Sequence, residues 1–329
     1  MKKKLSLLVL TLIVALVAAA CGGTTEKTTE TNNSATGKTE SAAPAQPAAE
    51  SKEITIKHKL GETKLKTNPK KVVVFDFGAL DSLDKLGVEV TGVPQSNIPP
   101  YLKKFEDSKY QNVGSVVEPD FEKLAALQPD LILMSGRLSA KYEELSKLAP
   151  TVFIGLDTAK YMDSFTENMK TLGTIFGKEA EVEKELAAVN AEIKTVSEKI
   201  KATGKNALIV LANEGKLSAY GTGSRFGIIH DVLGFKPVDE SIKVTTHGQS
   251  VSPEFVAEKN PDYLFVIDRN AVVTGEAAAK KTVENDLVKN TKAYKEGHIV
   301  YLDPNYWYLS GGGLVSVSEM VKQISAAVK

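Results

Sequence analysis

A chain of 329 residues with a single cysteine has no internal disulfide, so a disulfide framework is excluded. CxxC redox and zinc chemistry go with it. Four histidines, His58, His230, His247 and His298, are scattered and make no zinc or manganese cage of the usual kind. GxSxG, Walker A and HExxH are all missing, and enzyme chemistry of those types finds no support. The "GTGSRFG" stretch lacks the lysine and spacing of a phosphate-cradling loop. Formal charge is zero and no basic aromatic platform is present, so nothing favours nucleic acid. Arginine is scarcest of all. Of 41 Lys and Arg residues, only Arg137, Arg225 and Arg269 are arginines.

What the front end does contain is a leader. "MKKKLSLLVLTLIVALVAAAC" has a basic start, an apolar run from Leu5 to about Val17, and then small residues. Residues 1–20 therefore read as a secretory signal, too short and wrongly flanked for a permanent span. Cys21, after three alanines and before Gly22-Gly23, resembles the lipobox cysteine of bacterial lipoproteins, although Ala18 stands where leucine is commonest. That resemblance implies lipidation of Cys21 and anchoring on the outer face of the cell membrane. Residues 21–52 are Thr, Glu, Ser, Ala, Asn and Pro without an aromatic, and cannot bury enough surface to offset ordering entropy. They read as a disordered tether reaching roughly 30 Å.

The body alternates strands and helices. "EITIKHKLGETKLKTN" reads as a hairpin turning at Gly61-Glu62, and "KKVVVFDFG" as a buried strand. Helix-then-strand units follow to about residue 160, which argues an α/β lobe with a mostly parallel sheet. Residues 161–204 contain no proline and place Leu172, Ile175, Val182, Leu186, Val189 and Ile193 at helical spacing. One long helix ended near Gly204 is the expectation, with Gly173 and Gly177 as points of interruption. From 205 to 329 the α/β pattern resumes.

The two halves match without a gap. "FEKLAALQPDLILMSGR" falls on "PEFVAEKNPDYLFVIDR", pairing Glu122 with Glu254, Pro129-Asp130 with Pro261-Asp262, and Arg137 with Arg269. Each lobe thus puts an arginine just past the C-terminal end of an apolar strand, where open α/β sheets bind ligands. Arg225 lies in a Gly-rich strand-to-helix loop. Three planar, permanently charged guanidinium groups at one cleft want a rigid, oxygen-rich anion. In "LDPNYWYLSGGGL", Tyr306, Trp307 and Tyr308 are placed to stack on an aromatic ligand, and a phenol can ligate a hard metal. His247 sits on a polar loop shortly before the helix bearing Glu254.

Together these features resemble the substrate-binding lipoproteins of bacterial ABC importers for ferric siderophores, most of all the subgroup taking ferric catecholates such as petrobactin. The resemblance covers the whole chain. It implies two Rossmann-like α/β lobes joined by a single long α-helix, the class III type of periplasmic binding protein, with no enzymatic activity. It further implies that Arg137, Arg225 and Arg269 surround the chelate, with Trp307 or Tyr308 against a ring. His247 and Tyr308 would be direct Fe(III) ligands where the siderophore leaves iron sites open, with Tyr306 the alternative phenol. Glu122 and Glu254 would dock onto membrane permease subunits, and the protein would act as a monomer. No cofactor is held permanently, the ferric siderophore being cargo. Haem or a corrinoid is the alternative ligand for the same fold, and a ligand-free adhesion or scaffold lipoprotein is the alternative class.

Overall fold

The computed structural model describes residues 51–328. The leader, Cys21 and nearly all of the tether therefore lie outside the described residues. Strands β1 (Glu53–His58) and β2 (Gly61–Lys66) form an antiparallel hairpin. Its turn falls at Lys59-Leu60, because His58 pairs with Gly61; the expected Gly61-Glu62 turn is displaced. The first sheet follows, with β3 (Val72–Val74), α1 (Phe77–Lys85), β4 (Gly92–Val93), β5 (Gln111–Asn112), α2 (Phe121–Leu127), β6 (Leu131–Met134), α3 (Tyr142–Ser146) and β7 (Thr151–Phe153). All its pairings are parallel, in the order β5-β4-β3-β6-β7. Side chains divide with period two: Val72, Val74, Leu131 and Leu133 enter the main core, while Val73, Ile132 and Met134 enter a second cluster under the outer helices. A sheet buried on both faces needs such unbroken apolar strands.

The expected helix over 161–204 is two helices. α4 (Tyr161–Phe176) ends on Gly177 in the left-handed region (φ 62°), and α5 (Glu179–Thr203) begins two residues later. A Cβ on Gly173 would sit 3.3 Å from the Cα of Glu179 and from Val182, so the second helix turns back against the end of the first. One glycine supplies the backbone angle and the other the close approach. The long helix leading to the second sheet is thus the 25-residue α5. Its Val182, Leu186, Val189, Ile193, Val196 and Ile200 form one buried stripe.

The second half contains β8 (Asn206–Asn213), β9 (Lys216–Tyr220), α6 (Ile228–Asp231), β10 (Lys236–Pro237), β11 (Gln249–Val251), α7 (Pro253–Lys259), β12 (Tyr263–Asp268), α8 (Arg269–Val273), α9 (Ala279–Val283), α10 (Lys292–Lys295) and β13 (Ile299–Leu302). The order is β11-β9-β8-β12-β13, with β10 beside β8, and only the β8–β9 and β9–β11 pairings are antiparallel. A π-helix at Asn305–Ser310 leads into α11 (Leu314–Ala327).

The repeat seen in sequence is a repeat in structure. α2 and α7 each span seven residues and end on a left-handed non-glycine residue, Gln128 (φ 51°) and Asn260 (φ 46°). The following Pro-Asp has a structural task in both halves. Asp130 Oδ2 accepts from the amides of Lys70 and Lys71, and Asp262 Oδ2 accepts from that of Asn206, fixing the start of the neighbouring strand.

The last helix returns to the first lobe. Asp81 of α1 is fully buried at the N-terminus of α11, where it accepts from the amides of Val315 and Ser316 at 3.1 Å each. Tyr101 Oη donates to it at 3.1 Å and also lies 2.7 Å from Ser310 Oγ. Burial pushes the Asp81 carboxyl up to about 7, against the pull of these hydrogen bonds.

Candidate functional site: an arginine-lined cleft

A cleft of about 510 Å³ opens between loops from both halves of the chain. Asp76, Arg137 and Thr158 line it from the first half, and Arg225, Val244–Thr246, Trp307 and Ser310–Gly312 from the second, while Arg269 lies outside this lining. A cross-link closes one side, Thr158 Oγ1 donating to the Gly223 carbonyl at 2.9 Å.

The three arginines share one residue, Tyr308. Their Cζ atoms lie 5.9 Å (Arg137), 4.7 Å (Arg225) and 5.8 Å (Arg269) from its ring centroid. Arg137 donates to the carbonyls of Tyr308 at 2.7 Å and Leu309 at 3.0 Å, and Arg225 donates to the Tyr308 carbonyl at 3.0 Å. These carbonyls belong to the C-terminal end of the π-helix, which has no intrahelical donors for them and carries the negative end of its dipole. Gly311, left-handed at φ 58°, turns the chain away there. Arg269 Nε donates to the Tyr308 hydroxyl and its NH1 to Asn213 Oδ1, both at 2.8 Å. Burial first, and then the Arg137 charge, push the Arg225 pKa below its ordinary value. Like charges brought together this way favour the arrival of an anion.

Each sequence candidate has a definite place. Arg137 lies three residues past the end of β6 and Arg269 immediately follows β12, both at the carboxyl ends of their strands. Tyr308 faces the arginines; Tyr306 packs on Tyr101, with ring centroids 4.6 Å apart. Trp307 corrects an expectation. It borders the cleft but is only 2 % exposed, its indole N–H held by Gln323 Oε1 at 3.2 Å, so the ring belongs to the core and offers no stacking face. His247 is exposed and immediately follows the cleft-lining residues 244–246. Among the described residues no group of three or more His, Cys, Asp or Glu side chains is placed to hold a metal. Glu122 and Glu254 are exposed in the first turns of α2 and α7. Hydrogen bonds from the Ser252 hydroxyl and from its own amide hold the Glu254 carboxyl below its ordinary pKa. His58, His230 and His298 make local contacts, to Thr63, the Phe235 carbonyl and the Asp262 carbonyl.

Two site residues escaped sequence reasoning. Asn213, which orients Arg269, left no signal. Asp76 did: it closes the apolar strand "KKVVVF" as the arginines close theirs.

Residues 72–306 match the family described as periplasmic binding protein, and the chain belongs to that family. It is 53 % identical over 276 residues, 83 % of this chain and 87 % of the relative, to the petrobactin-binding protein YclQ of Bacillus subtilis. The crystal structure of YclQ superposes with a TM-score of 0.83 at 52 % identity, covering 84 % of this chain and 99 % of that one. The periplasmic catecholate-siderophore-binding protein VctP of Vibrio cholerae has a TM-score of 0.79 at 38 % identity, over 84 % of this chain and all of its own. The ferric-anguibactin-binding protein FatB of Vibrio anguillarum is 35 % identical over 82 % of this chain and 86 % of its own. A ligand-free scaffold is not what this family is. Among the described residues no helix is long and apolar enough to cross a membrane.

Proposed function

We propose that this protein is the extracytoplasmic substrate-binding component of an ABC importer, capturing a ferric catecholate siderophore of the petrobactin kind in the arginine-lined cleft. The observation that carries the reading is the convergence of all three arginines of the chain on Tyr308. A ferric catecholate spreads several negative charges over aromatic oxygens, and guanidinium forks match such oxygens in a site partly closed to water. The Tyr308 oxygen is the hard donor for Fe(III), and His247 supplies a second when its loop folds onto the chelate. The relatives named above bind siderophores by their names, which favours this ligand class over haem or a corrinoid. The chain acts as a monomer, held to the membrane through a lipid on Cys21. Residues 53–160 and 205–329 form the lobes.

Titration of the full chain in detergent, followed by the fluorescence of Trp307 beneath the cleft, tests the ligand class. Ferric petrobactin is expected to quench strongly while a ferric hydroxamate and hemin do not. A preference for hemin or the hydroxamate would overturn it.

Glu122 and Glu254, on matching exposed helix starts, are the contacts for basic groups of the permease. Reversing both to lysine is expected to abolish uptake while leaving ligand affinity unchanged. Loss of affinity in the double variant would sink the docking role.

A further inference from the structure

Within an anion-binding cleft, Asp76 is out of place. It follows directly on β3, whose pairing continues through the amide of Phe75 to the carbonyl of Leu133 at 2.8 Å, so it stands at the carboxyl edge of the first sheet. It lines the same cleft as Arg137 and Arg225. One oxygen, Oδ1, caps α1 by accepting from the amide of Ala79 at 2.9 Å. Oδ2 has no hydrogen-bond partner, and no basic nitrogen lies within 4.0 Å of the carboxylate, among the described residues. The nearby arginines are turned to the Tyr308 and Leu309 carbonyls instead.

We propose that Asp76 is a cation-accepting subsite that recognises a protonated amine carried by the ligand beside its anionic iron chelate. Capping requires one oxygen, and Ser, Asn or Thr supplies it without charge. A free carboxylate facing the seat of a polyanion costs affinity by repulsion, unless the ligand brings a positive group to that spot. An ammonium placed there makes a charge-assisted hydrogen bond to Oδ2 once the ligand has displaced water. The same carboxylate then discriminates: a chelate whose linker is neutral or acidic meets only the repulsion. The site therefore fits a ferric catecholate with an amine-bearing linker. This inference deepens the ferric-catecholate reading and rests on it.

The test uses the full chain and two matched ferric bis-catecholates, one with a secondary amine in its linker and one with an ether oxygen in place of that nitrogen. The parent protein is expected to bind the amine form about tenfold more tightly or better, the order of one hydrogen bond to a charged group. Asp76→Asn, which keeps the cap, should bind the two forms equally and melt at the parent temperature. Asp76→Ser is the second capping variant if the first misfolds. Equal binding of the two forms by the parent, or a preference that survives in both variants, overturns the subsite while the ferric-catecholate function stands. If the parent binds neither form, the function and the subsite fall together.

Discussion

Replacing Arg137, Arg225 and Arg269 together by alanine is expected to weaken binding of a ferric catecholate by about three orders of magnitude or more. A hydrogen bond to a charged group contributes about 1.5–3 kcal/mol, and about 1.4 kcal/mol is a factor of ten in affinity. Three such contacts acting additively on one ligand give about three to six decades, and coupling between them lowers that total. Arg225 should carry the largest single share. It lies closest to the Tyr308 ring and its charge is the one that burial already disfavours, so an incoming anion relieves most there. Arg225→Lys should restore little, because the ammonium lacks the planar fork. The fold should survive. The space the arginines vacate admits water to the Tyr308 and Leu309 carbonyls, and the repulsion between Arg225 and Arg137 is removed. Titration of the triple variant beside its thermal melt separates the two effects. Affinity retained within tenfold would show that the arginines do not hold the ligand.

Gly313→Ala is expected to be the most damaging glycine-to-alanine change among the described residues. A Cβ at this position would stand 2.0 Å from both Asp81 Oδ1 and the Gly78 carbonyl oxygen. Neither obstacle is a flexible side-chain tip. One is a buried carboxylate held by two backbone amides, and the other is helix backbone. The φ of Gly313 is −110°, so the demand for glycine comes from contact and not from backbone angle. Forcing α1 and α11 apart also strips Asp81 of its donors. Overpacking alone costs about 1–3 kcal/mol, and a buried carboxylate short of partners adds to it. At about 2–4 °C per kcal/mol, the melting temperature should fall by about 5–10 °C. Gly136→Ala, with open space at its Cβ, is the control. A Gly313→Ala protein melting within about 2 °C of the parent would show that the two helices part without cost.

Which parts could be read from sequence follows from where the physics is local. Strand period, glycine stops and the 132-residue repeat are local, and the structure turns them into two buried sheets with Gln128 and Asn260 as matching caps. The arginines could be placed at strand ends because that position needs only the strand. The break at Gly177 was visible as a glycine, yet whether the chain bends there depends on Val182 meeting Gly173 across the turn. Trp307 and Tyr308 show the limit most clearly. In a π-helix adjacent side chains point in different directions, and only packing against Gln323 decides that the indole goes inward. The use of the Tyr308 carbonyl as an arginine acceptor leaves no trace in residue type at all.

The placement of Asp81 bears on how such a chain is made. Synthesis from the N-terminus delivers α1 long before α11. Until residues 314–316 arrive, Asp81 lacks its backbone donors, and burying its charge is costly. Closing the core over α1 therefore costs more before the final helix is in place than after it. Completion waits on the final helix, whose first turn is the latch that fastens the first helix of the sheet laid down at the other end of the chain.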